Sequence, residues 1–131
     1  MSYLLDTNIC VAYLNAKDAA LRRQFQRTEP DDLELCSVVK AELLYGARNG
    51  SQVESNLSKL ARFFTLFESL AFDDAAAEQY GMLRVQLHRA GTPIGANDML
   101  IAAIAIASDS VLVTRNQDEF LRVPGLRVEV W

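Results

Sequence analysis

Residues 97–113 read Asn97-Asp98-Met99-Leu100-Ile101-Ala102-Ala103-Ile104-Ala105-Ile106-Ala107-Ser108-Asp109-Ser110-Val111-Leu112-Val113, and this run sets the fold class. From Met99 to Ala107 it is apolar on every side, which predicts a helix buried all round. A membrane span needs about 20 such residues, so this shorter run belongs in a protein core. Asn97 is expected to cap the helix, which then runs from Asp98 to Ala107. Val111-Leu112-Val113 follows as a continuous apolar run without alternation, the pattern of a strand covered on both faces.

On either side, strands alternate with helices. Tyr3-Leu4-Leu5 predicts a first strand that ends at Asp6, followed by helices over 8–15 and 18–27, the second with Leu21 and Phe25 four apart. Pro30-Asp31-Asp32 predicts a turn and Leu33-Glu34-Leu35-Cys36 a second strand. Ser37 is expected to cap a helix from Val38 to Arg48, stopped at Asn49-Gly50. Ser51 and Glu54 form a capping-box pattern for a helix with Val53, Leu57, Leu60, Ala61 and Phe64 on its apolar side. A third strand lies within 65–72. Asp73-Asp74 opens a long helix that carries Tyr80, Leu83 and Leu87 and stops at Gly91. Thr92 to Gly95 forms a loop. Asp118 to Leu121 predicts a short helical turn, and a last strand spans 127–130. This alternation predicts an α/β sandwich, one domain over residues 1–131, on a mostly parallel central sheet flanked by helices.

Composition excludes several classes. Cys10 and Cys36 make no disulfide framework and are expected as reduced core thiols. His88 is the only histidine, and nothing places it beside either thiol as a base. Met1 is followed at once by Ser2-Tyr3-Leu4-Leu5 and Asp6, so neither a secretory leader nor a membrane anchor is expected, and a cytoplasmic location is. The net charge of −4 argues against nucleic-acid binding when taken alone. Two bound divalent ions would bring that sum to zero, however. The basic residues are mostly Arg, whose fork suits phosphate.

Four acids draw the chemistry together. Asp6 directly follows an apolar strand, where a half-buried carboxylate needs a partner. Glu42 lies a turn into the helix after the second strand, Asp98 opens the apolar helix, and Glu119 follows the fourth strand. Ligands in open α/β sheets bind outside the carboxyl ends of the strands, and all four acids fall at that edge. Taken singly, each has a bland reading: Asp98 favours a helix N-terminus, and Glu42 and Glu119 are solvated. Taken together, they need a cation. Two carboxylates ~4 Å apart repel by about 4 kcal/mol at an effective dielectric of 20. Oxygen ligands without His or Cys select Mg²⁺ or Mn²⁺, ions that activate water for attack on a phosphodiester.

At these positions the chain resembles the PIN-domain ribonucleases, and within them the VapC-type toxins of bacterial toxin–antitoxin pairs. The matching motifs are Leu5-Asp6-Thr7-Asn8; Ser37 with Ala41-Glu42-Leu43-Leu44-Tyr45-Gly46-Ala47; Pro93-Ile94-Gly95 with Asn97-Asp98 and Ile101-Ala102-Ala103; and Val113-Thr114-Arg115-Asn116 with Glu119-Phe120. Val123-Pro124-Gly125-Leu126 also fits. The resemblance covers the whole chain and implies a PIN-like three-layer sandwich. It implies that Asp6, Glu42 and Asp98 are the core metal-binding, catalytic acids, and that Thr7, Asn8, Ser37, Thr114 and Asn116 shape the site or touch substrate. For the fourth acid, many PIN domains have Asp in the last segment. Here Asn116 holds one such position, Glu119 before Phe120 matches the closer relatives, and Asp118 is the alternative. The implied cofactor is Mg²⁺ or Mn²⁺, one ion or two. The implied substrate is structured RNA, transfer RNA among the candidates. The implied partners are a second copy of the chain and a VapB-type antitoxin that lays an apolar segment along the early helices and brings a basic residue towards the acids.

Three other readings compete. A phosphoacceptor receiver domain is a signalling module with acids at strand ends, but it needs a Lys after a late strand, and the last Lys here is Lys59. A haloacid-dehalogenase-like phosphatase needs an acid two residues after Asp6, where Asn8 stands. A PIN-fold binding module without activity would not need the core acids, all of which are present.

Overall fold

Five short parallel strands carry the fold in a computed structural model that describes residues 1–15 and 17–131. They are β1 (Tyr3–Leu5), β2 (Leu33–Cys36), β3 (Glu68–Leu70), β4 (Val111–Val113) and β5 (Val128–Glu129), in the order β3-β2-β1-β4-β5. Every pairing is parallel, so the sheet is parallel throughout. The helices between strands are α1 (Thr7–Leu14), α2 (Ala19–Arg27), α3 (Ser37–Arg48), α4 (Val53–Phe64), α5 (Asp74–Ala90), α6 (Ala96–Ala107) and α7 (Gln117–Phe120). All three residues of β4 are buried, as a strand covered on both faces requires. Helix α6 is buried from Ile101 to Ala105, packs along α5, and is the apolar element the sequence predicts.

The strand order reverses between β1 and β4. The chain builds β2 and β3 on one side of β1, then crosses to place β4 and β5 on the other. Such a switch point leaves a crevice outside the carboxyl ends of the two central strands. Asp6 follows β1 there and Thr114 follows β4. The Asp6 N–H donates to the Val113 carbonyl at 3.0 Å, which carries the ladder one residue beyond the strand.

Capping differs from the sequence pattern at three helices. Ser37 is the first residue of α3, and its hydroxyl donates to the Leu70 carbonyl at 3.2 Å instead of capping. Cys36 and Leu70 are register partners, which puts the last carbonyl of β3 within reach. Helix α4 begins at Val53 after Gln52, so Ser51 and Glu54 make no capping box; the Asn56 amide closes the corner by donating to Ala47 O at 3.4 Å. Gly95, not Asn97, precedes α6, and its carbonyl accepts from Met99 N at 3.0 Å. Asp73 caps α5 where the sequence opens that helix, and Asp18 precedes α2 as its cap, each accepting a backbone N–H at 3.0 Å. Gly91 ends α5 at φ +70°, a conformation that favours glycine. In α4 it is Phe63, not Ala61, that joins Leu60 in the core.

Cys10 and Cys36 are free and buried, and burial raises both thiols above their ordinary range, which keeps them protonated. Within β2 the Glu34 side chain is buried, with the Ser110 hydroxyl donating to it at 2.7 Å. Among the described residues no helix is long and apolar enough to cross a membrane.

Leu112 is fully buried at the centre of β4. Leu112→Ala should therefore cost about 2–5 kcal/mol of unfolding free energy, read from the urea midpoint at unchanged slope.

Candidate active site

The crevice between β1 and β4 opens into a cavity of about 230 Å³ lined by Asp6, Thr7, Asn8, Glu42, Asp98, Ile101 and Asn116. Three acids from three separate segments thus face one space. Asp6 is 4 % exposed and tightly held. Its Oδ1 accepts the Ile9 N–H at 3.0 Å, the N-cap bond of α1, and its Oδ2 accepts the hydroxyl of the fully buried Thr114. Thr114 Oγ1 in turn accepts the Asn116 N–H at 2.9 Å. Thr7 donates its hydroxyl to Glu42 Oε1 at 2.8 Å, linking the first turn of α1 to α3.

Glu119 reaches the cluster through hydrogen bonds. Asn116 Nδ2 donates to Glu119 Oε2 at 3.1 Å, and the Glu119 carboxyl lies close enough to Asp98 for each to shift the other's titration. Asp118 is exposed and makes none of these contacts, so it is Glu119 that joins Asp98. Ser37 is not in the cavity: it lines an adjoining cleft with Val38, Ala41, Tyr45, Asn97 and Leu100. Sequence reasoning missed Ile101, which forms an apolar wall of the cavity, and Arg122, whose Nη1 donates to the Pro93 carbonyl at 2.9 Å.

The electrostatics show a crowded acid cluster whose nearby positive charge is that of Arg122, felt at Glu119. Asp98 is pushed up to about 7, first by burial, then by the hydrogen bond and charge of Glu119, then by the charges of Glu42 and Asp6. Glu119 is lowered, chiefly by the hydrogen bond from Asp98. The two carboxyls titrate as a pair, Asp98 shifted up and Glu119 down. Asp6 is raised by burial, with Thr114 and Ile9 opposing the shift and Glu42 adding to it. Both ion pairs found among the described residues, Arg115–Asp18 and Arg127–Asp109, lie outside the cluster.

The donor set is carboxylate, hydroxyl and amide oxygen, with no His or Cys on the cavity wall, and it fits a hard divalent cation such as Mg²⁺ or Mn²⁺. Among the described residues no three His, Cys, Asp or Glu side chains close tightly enough to enclose an ion. The acids stand around the cavity, Glu42 turned to Thr7 and Asp98 to Glu119.

A second cleft of about 330 Å³ begins at Thr7 and Glu42 and runs between α1, α3 and α4 past Val11, Leu14, Leu43, Ala47 and Leu60. Val11 is 42 % exposed into solvent. Leu21 and Phe25 of α2 are buried in the core, so α1 alone of the two early helices lines this cleft.

The PIN-domain model matches residues 3–126. The chain belongs to the PIN-domain family. This PIN domain is 37% identical over 131 residues to the tRNA(fMet)-specific endonuclease VapC of Shigella flexneri, an alignment that covers 100% of this chain and 98% of that protein. It is 39% identical over 132 residues to ribonuclease VapC2 of Rickettsia felis, with the same coverage. Among solved structures, DNA-bound VapBC from Salmonella typhimurium matches the PIN domain with a TM-score of 0.95 and 36% identity, covering 100% of this chain and 98% of that one. VapBC2 from Rickettsia felis bound to a promoter DNA fragment gives 0.91 and 38%, covering 100% and 99%.

The raised Asp98 carboxyl fixes a pH dependence. Its folded value, about 7, exceeds the unfolded value near 3.8, so between them the folded state holds more protons. Stability of the metal-free protein should fall as pH rises from about 4 to about 7. Melting temperatures measured with chelator at pH 5 and pH 8 should differ in wild type, higher at pH 5, and Asp98→Asn should shrink that difference. An equal difference in the variant would show that another group titrates.

Proposed function

We propose that this chain, as one PIN domain over residues 1–131, is a metal-dependent endoribonuclease and the toxin of a bacterial toxin–antitoxin pair, acting in the cytoplasm. The observation that carries the reading is the gathering of Asp6, Glu42, Asp98 and Glu119 with no ion pair among the described residues reaching them. Full-length identity to VapC ribonucleases supports it.

Asp6, Glu42 and Asp98, with Glu119 beside them, would hold Mg²⁺ or Mn²⁺. Bound there, the ion supplies an activated water and charge neutralisation for in-line attack on an RNA phosphodiester. The chain's own residues prepare the cavity. Ile9 N–H and Thr114 each occupy one acceptor site on an Asp6 oxygen, which fixes the carboxylate and leaves each oxygen a further acceptor site. Thr7 orients Glu42, and Asn116 orients Glu119. Asp98, raised by burial and by its acidic neighbours, would give up its proton on metal binding, and it and Glu119 would then be free to serve as ligands. Asn8 faces the cavity where a phosphate or ribose oxygen would lie. Transfer RNA is the substrate we propose, supported by the name of the Shigella relative.

The partners follow from the surface. An apolar antitoxin segment laid in the α1–α3–α4 cleft would end at Thr7 and Glu42, where its basic side chain would pair with the acids. The cleft of Val38, Ala41, Tyr45 and Leu100, with Tyr45 70% exposed, supports a homodimer contact.

Asp98→Asn keeps the shape of a protonated carboxyl, so the variant should fold while cleavage of transfer RNA in Mn²⁺ falls by about a hundredfold or more. Near-normal cleavage by folded variant would remove Asp98 from the catalytic set. Val11→Arg should leave cleavage intact and weaken inhibition by the antitoxin encoded beside the gene; full inhibition of that variant would place the antitoxin elsewhere.

A further inference from the structure

We propose that Arg122 is a positioning residue that sets the spacing between Asp98 and Glu119 and thereby the affinity of the acid cavity for a divalent cation. The inference rests on the metal-dependent reading above and goes beyond it to a residue outside the cavity wall.

Asp98 and Glu119 come from unrelated elements. Asp98 rides on the first turn of α6, delivered by the loop from Thr92 to Gly95. Glu119 rides on α7, a helix of 4 residues. One turn cannot hold its own geometry, since helix nucleation is unfavourable, and must be fixed from outside. Phe120, fully buried, fixes its apolar side. Arg122 fixes the other. Its backbone N–H donates to the Glu119 carbonyl at 3.1 Å, and its guanidinium crosses to the Pro93 carbonyl at 2.9 Å. A single residue therefore grips the backbone on both sides of the Asp98–Glu119 pair.

The loop it grips transmits movement directly. Pro93 has a restricted φ, and Ile94 next to it is buried, so the loop has little slack. Gly95 lies so close to Asp98 that a Cβ there would stand 3.4 Å from Oδ2. A shift of the loop moves the ground on which the Asp98 carboxylate rests. Hydrogen bonds that orient metal ligands from behind are worth about 10–100-fold in affinity in other metal sites. An exposed arginine–carbonyl bond with no such task would alter only stability, and slightly.

The test is isothermal titration of Mn²⁺ into the purified full chain: wild type, Arg122→Ala, Arg122→Met and Arg122→Lys. Arg122 also acts on Glu119 through its charge, and losing that charge would by itself favour a cation. Mn²⁺ binding about tenfold weaker in the two neutral variants therefore reports the lost grip on Pro93. Arg122→Lys keeps the charge and can still donate to Pro93, and should recover part of the loss. Melting temperature in chelator should stay close to wild type. With limiting Mn²⁺, kcat for RNA should fall while KM holds. Arg122→Met keeps the aliphatic stem and serves if Arg122→Ala folds poorly. Unchanged Mn²⁺ affinity in both neutral variants overturns the proposal. So does a raised KM with normal Mn²⁺ affinity, which would make Arg122 a phosphate contact. Wild type that takes up neither Mn²⁺ nor Mg²⁺ overturns the metal-dependent reading itself, and this inference with it.

Discussion

Asp6 stands where the two central strands end, and the rest of the site is arranged around its carboxylate. Its N–H extends the β1–β4 ladder, its Oδ1 caps α1, and its Oδ2 takes the Thr114 hydroxyl. One residue ends a strand, starts a helix and faces the cavity. A carboxylate buried this deeply resists ionisation unless it is hydrogen-bonded, and two donors are supplied from elements that meet only at the sheet's switch point. Thr114 binds both Asp6 and the Asn116 N–H, so the start of the α7 segment is tied to the same oxygen. Glu42 and Asp98 add their charges around this fixed point.

Holding acids together opposes folding, and the fold offsets this by mounting each on an element with a deeply buried side. Leu4 and Leu5 precede Asp6 and are fully buried. Val39 and Leu43 hold α3 in the core beside Glu42, Ile101 to Ala105 hold α6 below Asp98, and Phe120 anchors α7 next to Glu119. The acids cannot retreat from one another without unpacking these anchors. Their crowding shows in the raised Asp98 carboxyl, pushed up by burial and then by Glu119, Glu42 and Asp6.

Much of this was legible in the sequence because it depends on local pattern. The apolar run of α6, the strand Val111–Val113, the start of α5 at Asp73 and the Gly91 stop each rest on a few neighbouring residues. What failed depended on partners far along the chain. Ser37 has the right chemistry for a cap, but β3 ends beside it and offers the Leu70 carbonyl. Asn97 has cap chemistry as well, but α6 starts earlier, at Ala96 after Gly95, and leaves Asn97 on a neighbouring cleft. The sequence places Glu34 in the second strand without a partner, and it is buried against Ser110, 76 residues away.

The sequence by itself determined the alternation of strands and helices, the covered central strands and the placement of acids just beyond strand ends, because hydrophobic periodicity and turn chemistry act over a few residues. The resemblance favours Glu119 over Asp118, but only the tertiary structure decided that it turns toward Asp98, because the two differ by one position and the rotation of a one-turn helix orients them. It also decided that Arg122 reaches Pro93, a contact between segments 29 residues apart. Hydrogen-bond directions and the separation of like charges are properties of the packed chain. No local pattern encodes them, since they exist only once α6 and α7 have docked against the same edge of the sheet.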